Sequence, residues 1–386
     1  MKQTAYILIL ISLVVNACQK AAPDAPGASE IWLSATVAPS VETRAPYTVA
    51  EPSTSSPLNV AVWASTTQYQ YASRNLNGSF VAPESPNNYI VAKHTAARFQ
   101  SGNTPQLLTD AVYPNPSGGG GSKPPVYFVG FYPDDGAWST TDSEIGTDAI
   151  HPFDGKTDIL FSPEISGYYG IPLAESPIFH FYHMLTWLRI EMTTDGATVL
   201  EREEVRDAWG KITSLKLTDQ AGSLPNNTIT IDLSTTPDMS SANFATRMAN
   251  VAAKSSFSGS TAAMNLYVTD TDTVFPEVPG YSLPISASMQ EAAYVICAPV
   301  VATPDDADPV DPQLTAEYTL TVVTEHRSAL DIPIDLKTAA DGWFTGSTVG
   351  KQFTISLTFK LGNTIAVAAA VTDWEIGGSG DASVTE

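Results

Sequence analysis

Cysteine is nearly absent: the 386-residue chain holds two, Cys18 and Cys297. That excludes a disulfide framework and a zinc site built on clustered thiolates. Basic side chains are also scarce, with 19 Lys and Arg against 41 Asp and Glu and a formal net charge of −22. Nucleic-acid binding needs a basic footprint, and so does a polybasic membrane contact, so both are excluded. No apolar run approaches the roughly 20 residues that a membrane-spanning helix requires. The chain carries no Gly-x-Ser-x-Gly elbow, no His-Glu-x-x-His, no P-loop and no Gly-x-Gly-x-x-Gly after a strand. No catalytic constellation, metal centre or cofactor cradle is therefore expected, and the sequence points to binding or structure and not to an enzyme.

Hydrophobic residues make up 43% of the chain, enough for ordinary buried cores, and 25 Gly with 28 Pro fit a folded, loop-rich protein. At about 100–200 residues per domain, the length fits two domains or three. The N-terminus reads as a targeting segment. Lys2 precedes an apolar run of eleven residues, 5–15, and Ala17 stands directly before Cys18. This pattern resembles a bacterial lipobox. It predicts a signal peptide over 1–17, cleavage before Cys18, and an acyl (palmitate) anchor on that residue. A Pro/Ala/Gly tether follows.

Alternating apolar residues predict strands at 31–37, 58–64, 126–132, 179–192, 212–217, 228–233, 263–268, 292–299, 317–324, 353–359 and 364–374. Turn signals such as Asn77-Gly78, Asp135-Gly136 and Asp341-Gly342 separate them. Many short strands between turn clusters predict β-sandwiches. Residues 195–211, with Val205 and Trp209 at i,i+4, and 238–254, with Phe244, Met248 and Val251, read as helical inserts. The Gly-rich 117–122 and the acidic, Pro-rich 303–312 read as loops. The expected organisation is a signal peptide over 1–17, a lipidated tether and removable first strand over 18–44, an N-terminal sandwich over 45–174 and a C-terminal sandwich over 175–386.

Of five histidines, only His180 and His183 lie close together. In a strand, i and i+3 face opposite ways, so one should be solvated and the other a hydrogen-bonded core residue. Asp270 and Asp272, like the acidic loop, lack EF-hand spacing and read as solvated carboxylates. Asp272-Thr273-Val274 is similar to an O-glycosylation triplet of exported Bacteroidetes proteins.

An ordered set of motifs carries a resemblance. After the lipobox and the first strand come Thr43-Arg44-Ala45-Pro46, then Tyr127-Phe128-Val129-Gly130-Phe131-Tyr132-Pro133, then Asp158-Ile159-Leu160. Phe179-His180-Phe181-Tyr182-His183-Met184-Leu185-Thr186-Trp187-Leu188 follows. Tyr294-Val295-Ile296-Cys297-Ala298-Pro299 then leads to a strand pair ending at Val371-Thr372-Asp373-Trp374. Across nearly the whole chain this resembles the fimbrillin (Mfa-like, type V pilin) lipoproteins of Bacteroidetes. The resemblance implies an all-β protein of two tandem transthyretin-like β-sandwich domains with short helical inserts. It implies a place in fimbriae on the outer membrane and cell surface, and a role in cell adhesion. The implied partners are other pilin subunits, an Arg-specific protease and a ligand on a host or bacterial surface. Carried over, the cleavage site is Arg44–Ala45, with Pro46 next to it, and assembly proceeds by donor-strand exchange.

The residues themselves are compatible with that mechanism. Cleavage after Arg44 would remove the strand that carries Ile31, Leu33, Ala35 and Val37, exposing an apolar groove and unpaired backbone groups. The last strand offers Ile365, Val367, Ala369 and Val371 at the same spacing. The donor strand of one subunit would then mimic the strand lost from the next. The plainer alternative makes 364–374 the last strand of its own domain. A second functional reading is a surface glycan-binding lipoprotein of a nutrient-uptake system. Seven Trp and fifteen Tyr could supply stacking platforms. Trp138 and Trp343, in turn-rich contexts, are the candidates, whereas Trp63 and Trp187 sit in core patterns.

Overall fold

The computed structural model describes residues 30–37, 57–66, 68–71, 93–100, 105–113, 123–141, 146–219, 226–241, 244–259, 264–268, 273–274, 280–299, 302–305, 308–314, 318–334, 349–362 and 364–373. The first group of strands is β1 (Glu30–Val37), β2 (Leu58–Ser65), β3 (Lys93–Phe99), β4 (Gln106–Val112), β5 (Pro125–Tyr132), β6 (Asp148–Pro152), β7 (Leu160–Tyr168) and β8 (Ile178–His183). The next is β9 (Thr186–Thr194), helix α1 (Val199–Trp209), β10 (Ile212–Asp219), β11 (Thr228–Asp232), helix α2 (Phe244–Ala252), β12 (Ser255–Ser258), β13 (Met264–Asn265), β14 (Tyr267–Val268) and β15 (Thr273–Val274). The chain continues through β16 (Gln290–Cys297), β17 (Ala302–Asp305), β18 (Asp308–Leu314), β19 (Tyr318–Thr324), β20 (Leu330–Ile334), β21 (Lys351–Phe359) and β22 (Ile365–Asp373). The protein is all-β with two short helices, as the alternating patterns predict. Among the described residues, no helix is long and apolar enough to cross a membrane.

Seven strands form one sheet in the order β3-β2-β5-β7-β8-β1-β4. The sheet curls until its outer strands, β3 and β4, approach each other. Its concave side closes on an apolar core that includes Ile31, Leu33, Val60, Val62, Phe99, Phe128, Phe179 and Phe181. Its convex side joins a second core. There Trp63, Phe131, Phe161 and Tyr182 merge with the interior of the C-terminal half. β2 is therefore buried on both faces, which is why it reads as a nearly continuous apolar run.

The C-terminal half stacks the six-stranded sheet β15-β14-β16-β9-β21-β22 on the four-stranded sheet β13-β10-β19-β20. In β19, Tyr318, Leu320, Val322 and Thr324 turn inward at every second residue. In β21, Phe353, Ile355, Leu357 and Phe359 do the same. This is the period of two that a half-buried strand requires. Helix α1 starts with a capping box: the Glu201 amide donates to Thr198 Oγ1 (3.2 Å) and the Thr198 amide to Glu201 Oε2 (2.9 Å). It ends at Gly210 with φ +71° and buries Val205 and Trp209, the pair its spacing indicated.

Two sequence expectations, a single strand over 179–192 and a loop over 303–312, meet a different arrangement. The predicted strand over 179–192 is two strands in two sheets. The chain turns at Met184-Leu185, where the Met184 amide donates to Ile159 O (2.9 Å) and the Gly350 amide to Leu185 O (3.0 Å). The boundary expected at 174 falls in a short 3-10 turn (Leu173–Glu175) between β7 and β8 of one continuous sheet. Conversely, β6 pairs with β11 in the sheet β12-β11-β6. In the acidic 303–312 segment, expected as a loop, the described residues belong to β17 and β18, which pair antiparallel.

Candidate functional site

The first strand has an unusual seat. Glu30 to Leu33 pair antiparallel with β4, and Ser34 to Val37 pair parallel with β8. Among the described residues the strand changes partner at its midpoint, so each half is laddered on one side only. What holds it is its inner face. Ile31, Leu33, Ala35 and Val37 are all buried. Burying each of the three larger aliphatics contributes about 1.5–3 kcal/mol. Each ladder bond contributes about 0.5–1.5 kcal/mol, so side chains dominate.

The walls of this seat follow from local sequence. β8 alternates Phe179 and Phe181 inward with Ile178 and His180 outward. Phe179 stands opposite Ala35, and Phe181 opposite Val37. The floor needs a glycine. A Cβ on Gly130 of β5 would lie 2.7 Å from the Phe181 ring and 3.3 Å from Phe179. That close approach explains the Gly in Tyr127-Phe128-Val129-Gly130-Phe131-Tyr132. The outward side carries a polar anchor, Thr36 Oγ1, 2.9 Å from His180 Nδ1 and 3.4 Å from Phe179 O.

Where β8 leaves the sheet, His183 Nδ1 lies 2.6 Å from Asp158 Oδ2, with both side chains buried. Burial pushes the Asp158 carboxyl above its usual range, and the facing imidazole partly offsets that. His180 is exposed and His183 buried, the division of roles read from their spacing. Sequence reasoning singled out Asp158 and His183 in separate motifs but did not pair them. The only signal was the presence of each in an otherwise apolar run. Among the described residues, no group of three or more His, Cys, Asp or Glu is placed to hold a metal.

The last strand, β22, pairs antiparallel with β21 along its full nine residues, from Ile365 opposite Phe359 to Asp373 opposite Lys351. Among the described residues it forms the edge of its sheet. Ile365 and Val367 are half-buried against the C-terminal core. Ala369 stands opposite Ile355 and Val371 opposite Phe353 in the register. Cys18, Arg44, Ala45, Pro46, Trp343, Asp270 and Asp272 lie outside the described residues, and Thr273 falls in β15. Trp138 does not suit a stacking platform. It is buried, with ring centroids 4.6 Å from Phe131 and 4.5 Å from His151, and its indole N–H donates to Pro133 O (2.8 Å). Trp63, Trp187 and Trp209 are buried as well.

No protein-family model matches the chain, and no curated protein matches it. Solved structures do align over most of its length. One is a candidate cell adhesion protein from Bacteroides uniformis, 15% identical, covering 90% of this chain and 99% of that one with a TM-score of 0.46. A candidate cell adhesion protein from Bacteroides ovatus is 14% identical over 90% and 99%, with a TM-score of 0.45. The tip fimbrial protein Mfa3 from Porphyromonas gingivalis, with C-terminal truncation, is 10% identical over 89% and 100%, with a TM-score of 0.35.

Proposed function

We propose that this chain is a fimbrial subunit, structural and adhesive, that reaches the cell surface as a lipoprotein on Cys18. It has no enzymatic step of its own. An Arg-specific protease cuts between Arg44 and Ala45, freeing β1 together with the lipid anchor. The C-terminal strand of another subunit then fills the vacated seat, giving a head-to-tail fibre at the outer membrane.

One observation carries this reading: β1 is laddered on one side in each half, yet supplies four core side chains. Such a strand can leave at little backbone cost, but the hole it leaves must be refilled by a strand of the same apolar spacing. β22 has that spacing in Ile365, Val367, Ala369 and Val371, and it lies at an edge from which it can peel. Arg44 lies seven residues beyond Val37, outside the strand that would be freed.

The test is limited digestion of the full chain with an Arg-specific protease, followed by intact mass and unboiled gels. A cut after Arg44 with a ladder of multimers is expected. Ala369→Arg should give the same cut and a folded monomer without the ladder. A ladder that survives Ala369→Arg removes β22 as the donor. A chain that resists cutting at Arg44 and stays monomeric removes the proposal.

A further inference from the structure

Among the described residues, three buried hydroxyls find no hydrogen-bond partner: those of Ser34, Tyr113 and Ser176. Tyr113 and Ser176 lie outside β1 and would stay if that strand departed. Ser34 lies on β1 itself, at the point where the strand changes partner. Its backbone amide is satisfied, donating to Pro177 O (3.2 Å). Its side chain is not. Ser34 is 1% exposed, and the residue opposite it in the parallel register is the apolar Ile178.

Successive side chains of a strand face opposite ways, so Ser34 shares the outer face of β1 with Glu30, Trp32 and Thr36. Of these four, Ser34 alone is fully buried. The half-buried three have polar contacts. Trp32 Nε1 donates to Glu30 Oε2 (3.2 Å), and Thr36 Oγ1 lies 2.9 Å from His180 Nδ1. The Ser34 hydroxyl has given up its hydrogen bonds to water and gained none among the described residues. β1 is therefore held less firmly than its four inward side chains alone would hold it.

β22 carries no such group at the matching place. Ser34 is the centre of the quartet Ile31, Leu33, Ala35 and Val37, and Ala368 is the centre of Ile365, Val367, Ala369 and Val371. Laying one quartet on the other puts Ala368 at Ser34 whether the incoming strand runs the same way as β1 or the opposite way. The outer positions on either side, those of Trp32 and Thr36, receive Ala366 and Ala370 in one order or the other. At those two half-buried places the exchange gives up contacts that water partly replaces. At the fully buried one it removes a penalty.

We propose that Ser34 is a specificity-determining residue of the exchange: its orphaned hydroxyl loosens β1 in its own seat and favours a strand with alanine at that place, as β22 of a second copy has. The inference rests on the strand-exchange reading and adds what gives the exchange its direction. In the uncut chain β1 is joined to its own domain and rebinds at high effective concentration, so the defect is tolerated. After a cut at Arg44 the seat goes to whichever strand fits it better.

Ser34→Ala and Ala368→Ser test this from both sides. Full-length chains are compared in urea melts before the cut, and on unboiled gels over time after digestion with an Arg-specific protease. Ser34→Ala is expected to raise the melt midpoint and to slow multimerisation roughly fivefold or more, the low end for an orphaned buried hydroxyl. Ala368 is half-buried in the uncut chain, so Ala368→Ser is expected to leave the melt unchanged and to slow multimerisation to a similar extent. A Ser34→Ala midpoint at or below that of the wild type means that the hydroxyl is partnered, and overturns the inference. So does a wild-type ladder that either variant matches in rate, and strand exchange itself then stands. No ladder from the wild type removes strand exchange, and the role of Ser34 with it.

Discussion

β1 and β22 carry almost the same apolar quartet, and the fold holds them in opposite ways. β1 has its four side chains inside a closed core but a ladder that changes partner halfway. β22 has an unbroken ladder of nine residues, but the two inward side chains described, Ile365 and Val367, are only half-buried. One strand is held by its side chains and the other by its backbone. A strand held by side chains cannot be lost without leaving a cavity. A strand held by one ladder at an edge can be peeled with its core largely intact. The pattern alone therefore does not make a donor or an acceptor; the seat does.

The sharpest way to break this comparison is to truncate matching positions. Leu33→Ala should cost about 2–5 kcal/mol, the range for a fully buried leucine. Val367→Ala, half-buried at an edge, should cost about 1 kcal/mol or less. Urea melts of the two variants measure both. Equal losses would mean that β22 is as much a core strand as β1, and would remove the basis for peeling it.

How much of this was legible in the sequence depends on what fixes each feature. Both quartets were readable, because alternation is local. So were α1, through Val205 and Trp209, and the opposite facing of His180 and His183. The parallel pairing of β1 with β8 was not, because Ser34 meets Ile178 across 144 positions and only tertiary packing selects that register. β4 was missed because an outer strand such as Gln106–Val112 mixes exposed Leu107 with buried Leu108 and has no strict alternation. The break between β8 and β9 was hidden inside one apolar run, since both are well-buried strands. Trp138 suggested an exposed platform because turns surround it. Its ring instead fills the gap between Phe131 and His151.

A middle-sized effect sharpens the comparison from within the β22 sheet. Cys297 lies on β16, separated from β22 by β9 and β21. If peeling β22 leaves the core closed, Cys297 stays unlabelled by a thiol reagent in both monomer and multimer, as peptide mass would show. Burial pushes its thiol from 9 up to about 12. The folded state thus keeps a proton that the unfolded state loses above pH 9. Stability from this group is complete below pH 9 and declines by about 1.4 kcal/mol per pH unit towards pH 12. Rapid labelling of the multimer at neutral pH would show that exchange opens the sheet well beyond its edge.

The smallest expected effect concerns the polar anchor at Thr36 of β1. Thr36 Oγ1 sits 2.9 Å from His180 Nδ1 and 3.4 Å from Phe179 O, on the half-exposed outer side. Thr36→Val keeps the β-branched shape and deletes that contact, so it should cost about 0.5–1 kcal/mol in a thermal melt. The inner quartet is untouched, and so is the seat that a donor strand fills in the proposed exchange. The variant should therefore form multimers after cleavage at least as fast as the wild type. A loss as large as that of Leu33→Ala would invert the comparison. It would place the hold on β1 in its outer, polar face, and the apolar match between the two quartets would no longer explain why one strand could replace the other.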